Sequence, residues 1–255
     1  MNARARATSW LGGERVRATI LMLVDRPGRL RLEAEVSLQG TVAVLTTDQA
    51  RFAFLDVAHN ELRRGPACPE NIASLIRIAL DPADVAAILL GDARVSMAGP
   101  PRDVQWDETV GADVLVEPSD NGLMRLLFQG SAAGVPSQSL LVGAVATTAA
   151  GQTRWRVSFQ DFVAVSTDRA AGVEAAPTVW LPATIRFAEG ARSFDDGVEI
   201  KFKDRTLEPS LPATAFVLAA PAGTIVLDVG CLESPSPSPP RSPPRSPPRL
   251  PASAP

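Results

Sequence analysis

The chain of 255 residues is 45% hydrophobic, enough to bury a sizeable core, and its net charge of −3 gives no electrostatic basis for nucleic-acid binding. No apolar run nears the ~20 residues that a membrane-spanning helix needs. Met1–Trp10 contains Arg4 and Arg6 without an apolar stretch, so no signal peptide or lipobox is visible.

In chain order, strand signals dominate. A strand is expected over 3–11, and Gly12-Gly13 is a hairpin signal leading to the next, over 16–24. The chain thus enters a strand almost at once, and a preceding N-terminal segment is expected to be missing. From Ile20 to Val24 the second strand is apolar on both faces and is expected to be covered on both sides. After Asp25-Arg26-Pro27-Gly28, the stretch Arg29–Val36 alternates strictly between charged or polar and apolar residues, as a half-buried strand does. Gln39-Gly40 then turns into strands over 41–47, 51–56 and 61–64.

Pro69–Leu90 breaks this pattern. Ile72, Leu75 and Ile76, then Val85, Ile88 and Leu89, recur at three- and four-residue intervals and predict two short helices. Asp81 is placed to cap the second, with Pro82 at its first turn and Gly91 as its stop. Further strands are expected over 112–117, 123–129, 139–147, 154–165, 181–188, 198–203, 214–218 and 224–229, with turns at Asn121-Gly122 and Asp195-Asp196-Gly197. In Val198–Lys203 three apolar residues alternate with three charged ones. Residues 232–255 are a different material. Ser234–Pro255 holds ten prolines and repeats Arg-Ser-Pro-Pro from Arg241 and Arg245. This tail is expected to be disordered and extended, a spacer with SH3-type or anionic-surface binding as the lesser reading. The domain is therefore placed at 1–231.

So many strands with only two short helices leave two architectures: a face-to-face sandwich, or one sheet curled on itself. A curled sheet of more than about eight strands is too wide for its own side chains to fill. Small residues at Ala18, Ala34, Ala43 and Ala53 favour such a hollow, with the helix pair across its mouth.

Candidate chemistry is sparse. His59, the sole histidine, stands in a turn between strands, where a solvated role accounts for it. Asp195-Asp196 reads as turn chemistry before Gly197 rather than a carboxylate pair. Cys68 and Cys231 fit no zinc spacing. Trp10, Trp106, Trp155 and Trp180 read as core or rim aromatics. No catalytic residue, metal site or cofactor is expected.

Three segments resemble a known family. Arg4–Val36 (RARATSWLGGERVRATILMLVDRPGRLRLEAEV) resembles the opening strands of the outer-membrane lipoprotein-localisation superfamily, LolA/LolB-like. Arg63–Gly91 (RRGPACPENIASLIRIALDPADVAAILLG) resembles the helical insert of its uncharacterised lipoprotein branch. Ile185–Val229 is similar to its closing strands, with Leu207-Glu208-Pro209 and Phe216 ahead of Pro221-Ala222-Gly223. The helix that precedes the first strand in the family is expected to be absent, and residues 92–150 match poorly.

The resemblance implies a mainly β fold: a curved antiparallel sheet forming an incomplete barrel of roughly eleven strands with a two-helix lid. It implies lipid or lipoprotein acyl chains as ligand, with carriage or acceptance in the periplasm or outer membrane by a monomer. Leu30, Leu32, Val42, Val44, Ile200 and Phe202 are the expected cavity residues of the sheet. Leu75, Ile76, Val85, Ile88 and Leu89 are those of the lid. In the periplasm, Cys68 and Cys231 are expected to pair. The alternative is an envelope scaffold that binds a protein partner and no lipid.

Overall fold

The first strand, β1 (Asn2–Leu11), alternates alanine with larger polar residues, and the alanine row turns inward: Ala3 and Ala5 are buried. It pairs with β2 (Glu14–Asp25), whose row Ala18, Ile20, Met22 and Val24 continues the same face. In a directly opposed pair both side chains leave the sheet on one side, so these registers assign faces without ambiguity. The computed structural model describes residues 1–11, 14–94, 103–119, 122–130, 139–166, 178–207 and 211–231. The expected Gly12-Gly13 turn, the residues Asn121, Glu208 and Pro209, and the proline-rich tail lie outside these.

The strands form one sheet. β3 (Arg29–Val36), β4 (Gly40–Asp48), β5 (Arg51–Asp56) and β6 (Glu61–Pro66) follow β2 as a meander. On the other side of β1 lies β13 (Val198–Thr206), then β12 (Thr178–Glu189), β11 (Thr153–Ser166), β10 (Leu140–Thr147), β9 (Gly122–Gln129), β8 (Ala112–Ser119) and β7 (Gln105–Asp107). A last strand, β14 (Ile225–Asp228), lies against β6. The order is β14-β6-β5-β4-β3-β2-β1-β13-β12-β11-β10-β9-β8-β7. Among the described residues the end strands β14 and β7 do not pair, so the sheet is curved but unclosed, and a sandwich is excluded.

The mainly β, open-barrel expectation holds, with a single parallel pairing at one edge, β14 on β6, and one expected strand is corrected. Residues expected as a strand over 214–218 instead begin with a 3-10 turn, Ala213–Phe216, that seats Phe216 on the outer face of β3 and β4. Phe216 is 2% exposed and lies under the Arg29 guanidinium at 5.2 Å, so one aromatic anchor replaces ladder bonding there. The short edge strand β7 had no recognisable periodicity.

Helices α1 (Pro69–Ile76) and α2 (Pro82–Leu89) cross the concave face, α1 against β4 and β5, α2 against β2 and β3. Asp81 caps α2 through a 2.9 Å bond from the Ala83 amide. The turn before β3 fixes where α2 begins: a Cβ on Gly28 would stand 2.9 Å from the Ala83 nitrogen, and Arg26 binds Asp92 at 2.6 Å.

The segment ending in β14 straps the sheet edge to the lid. Val229 donates to the Arg64 carbonyl, Arg64 meets Asp228 at 2.7 Å, and Cys231 is disulfide-bonded to Cys68, the residue before α1. The loop closed spans a sequence separation of 163, for which the chain-entropy model gives about 5 kcal/mol at most. Thiol titration of the denatured, unreduced protein is expected to find no free sulfhydryl, and Cys231→Ser to lower the melting temperature. Two reactive thiols per chain would contradict the pairing.

Candidate functional site

The concave face carries a cavity of about 240 Å³ between the lid and the central strands. Its sheet wall is built from the inward rows just described. Ala7 of β1 opposes Ala18 of β2 and Ile200 of β13, and Ala34 of β3 opposes Ile20 and Ala43. Ile185 and Phe187 of β12 extend the wall beyond Val198 and Ile200. Small side chains across the middle of a curved sheet leave space that larger ones would fill.

The lid wall is apolar too. Leu75 of α1, then Val85, Ile88 and Leu89 of α2, face the cavity. Between the helices Arg77 adopts a left-handed conformation (φ 57°), which ends α1 and turns the chain so that Ile78 and Leu80 point inward, each 4% exposed. The exposed lining residues Val16, Arg17, Val36 and Arg77 mark the mouth; Val16 is 62% exposed. Deeper lining residues such as Met22 and Leu32 are buried.

Of the residues singled out from sequence, Leu32, Val42, Ile200, Leu75, Val85, Ile88 and Leu89 line this cavity. Leu30 is fully buried on the same face but does not border the space; its neighbours there are Val24 and Thr47. Val44 points the other way. A register shift between Ala34 and Glu35 leaves Val42 as an extra residue, so that Val42 and Ala43 both reach the cavity and every later residue of β4 changes side. Val44 consequently joins Leu55 on the outer face, where Phe216 and the buried Leu62 also lie. Ala53 opposes Thr46 on that outer face as well.

Phe202 stands on the inward row opposite Ala5, yet it belongs to a second, polar cleft. There β12 and β13 pair only between Thr184–Lys201 and Phe187–Val198 and then part. Arg205 occupies the split. Its guanidinium lies 4.4 Å from the Phe202 ring and donates to the Pro182 and Leu181 carbonyls at 2.6 and 3.3 Å. Burial pushes its pKa down to about 10, which leaves it charged at neutral pH. The side chain of Ile76 lies outside the described ones. The residues not singled out from sequence, Ala7, Ile20, Met22, Ile78, Leu80, Ile185, Phe187 and Val198, follow the same alternation or sit in the irregular link between helices.

His59 is in an exposed turn, its Nδ1 2.8 Å from Asp56 Oδ2. Desolvation opposes ionisation of Asp56, but hydrogen bonds from the His59 side chain and backbone outweigh it and hold its carboxyl below the usual range. Asp195 and Asp196 form a 3-10 turn capped by Ser193. Trp155 is buried 6.2 Å from Phe187, Trp106 is 61% exposed near the β7 edge, and Trp10 stacks beneath Arg15 at 5.4 Å. Among the described residues no group of three or more His, Cys, Asp or Glu converges to hold a metal ion.

The class this geometry defines is an open β-barrel, one curved sheet closed over by two short helices. No family model matches the sequence, and no curated protein matches it. Solved structures do resemble it. One is a LolA superfamily protein from Nitrosomonas europaea, 11% identical over 85% of this chain and 88% of that one, with a TM-score of 0.48. A second is a DUF1329 family protein from Desulfovibrio piger, 10% identical over 85% and 88%, at 0.52. A third is an outer membrane lipoprotein-sorting protein domain from Vibrio parahaemolyticus, 8% identical over 80% and 83%, at 0.46. At these identities the likeness is one of fold, and it rests on the DUF1329 structure, whose TM-score exceeds 0.5.

The lid depends on its caps. Asp81→Ala removes the bond to Ala83 and is expected to cost about 1 kcal/mol, seen as a melting temperature lower by about 2–4 °C for a domain of this size. Amide exchange should rise at Val85 and Ala86 and stay unchanged in β11. An unchanged exchange pattern would show that the cap does not hold the lid.

Proposed function

We propose that this protein binds an acyl chain in the cavity beneath its lid, non-covalently, as a carrier or acceptor of lipid or of lipidated protein. One observation carries the reading: an unfilled space whose walls on both the sheet and the lid are almost wholly apolar side chains. Water in such a space forgoes hydrogen bonds, and genuinely apolar cavities stay dry or take apolar guests. Each methylene moved into it from water gains about 0.8 kcal/mol. At about 240 Å³ the space exceeds the roughly 150 Å³ that accepts benzene. It falls below the roughly 300–1,000 Å³ of common drug-sized pockets, a size for one chain.

Entry and exit would come through movement of α2 and the Arg77–Leu80 link. The disulfide-tied start of α1 would stay fixed. A disulfide of this kind persists in oxidising compartments, which supports placing the protein in the cell envelope. The protein would act as a monomer.

Organic extraction of the purified protein followed by mass spectrometry is expected to recover a lipid in near-stoichiometric amount. Ala18→Leu, which puts a larger apolar side chain into the unfilled space, should abolish recovery with little loss of stability. The scaffold alternative predicts the reverse: nothing apolar is extracted from the wild type, and Ala18→Leu leaves partner binding intact.

A further inference from the structure

The residues around the cavity are apolar except at its mouth, and there the charge has one sign. Arg17 and Arg77 border the space, no acidic residue among the described ones does, and both arginines are exposed. Neither makes an ion pair or a side-chain hydrogen bond with another described residue, a state they share with Arg6 and Arg51; what sets them apart is their place at the cavity mouth. Their positions differ. Arg17 opposes Thr8 and so belongs to the outward row of β2, edging the mouth from outside. Arg77 sits on the lid between two cavity-lining residues, Leu75 and Ile78, in a left-handed backbone conformation that few non-glycine residues adopt. Arg77 thus stands where the apolar space meets water.

We infer that the ligand is a single-chain amphiphile with an anionic oxygen head, its chain in the cavity and its carboxylate or phosphate at the mouth against Arg77. The inference rests on the acyl-chain reading above and adds the head group to it. The cavity volume limits the guest to one chain. A guanidinium offers a planar fork of donors that matches either oxyanion, and a neutral head would leave it unpaired. Arg77 is therefore a specificity-determining residue: it selects among amphiphiles of equal chain length and adds little to the burial of the chain itself.

Isothermal titration calorimetry on the full, delipidated chain tests this with three ligands of one chain length: laurate, 1-lauroyl glycerol phosphate and uncharged monolaurin. Because Arg77 is exposed, the preference expected for an anion over monolaurin is about fivefold at low salt, shrinking as salt is raised. Arg77→Gln should bring the ratio of anion to monolaurin affinity close to one, and Arg77→Lys should restore most of it. Whichever anion binds more tightly identifies the head as carboxylate or phosphate. Equal binding of all three ligands, unaffected by Arg77→Gln, would overturn the head-group assignment and leave the acyl-chain reading standing. Binding of none of them would overturn both.

Discussion

The structure depends on one constraint: a single sheet presents a continuous row of small and apolar side chains on its concave face, and that face must be shielded from water. Ala3, Ala5 and Ala7, with Ala18, Ala34 and Ala43, are too small to meet one another across the curve. Two flat layers could bury such a surface by close approach. A curved, unclosed sheet cannot, so the shielding falls to α1, α2 and the Ile78–Leu80 link. The cavity is the residue of that mismatch between a wide concave wall and a narrow cover.

Much of the remaining architecture holds the cover in place without filling the space. Gly28 lets the β2–β3 turn abut the backbone at the start of α2, and Gly91, at positive φ, lets the end of α2 come close to Pro182. The C-terminal strap locks the start of α1 through Cys231 and Cys68. Phe216 anchors the same strap to the outer face, so the edge of the sheet and the hinge of the lid are one mechanical unit. Polar satisfaction follows the same division. Glu199, 8% exposed on the outward side of β13, is held by Arg186 at 2.9 Å and Lys201 at 3.2 Å, leaving the inward row free of charge.

Strand positions and the two helices were legible from the sequence because alternation in Arg29–Val36 and Val198–Lys203, and helical spacing in Ile72–Leu89, are local signals. The faces of β4 were not. Taking Val42 and Val44 as neighbours on one face assumes unbroken parity, and the bulge opposite Ala34–Glu35 breaks it; a bulge depends on the partner strand, which local spacing does not report. Phe202 was on the expected row, yet the parting of β12 from β13 put it under Arg205 and outside the cavity. The parallel pairing of β14 and the 3-10 turn at Phe216 likewise arise from long-range docking. Arg77 gave no signal at all in the sequence, because its importance comes from where α1 stops.

The central claim is that a space between sheet and lid stands open to an apolar chain. The most direct measurement is anomalous diffraction from crystals grown with a terminally brominated fatty acid. A bromine peak is expected deep in the cavity, among Met22, Leu32 and Ile88, with the carboxylate end toward Arg77. A peak confined to the outer surface, or a cavity closed by its own side chains in the presence of the ligand, would contradict it.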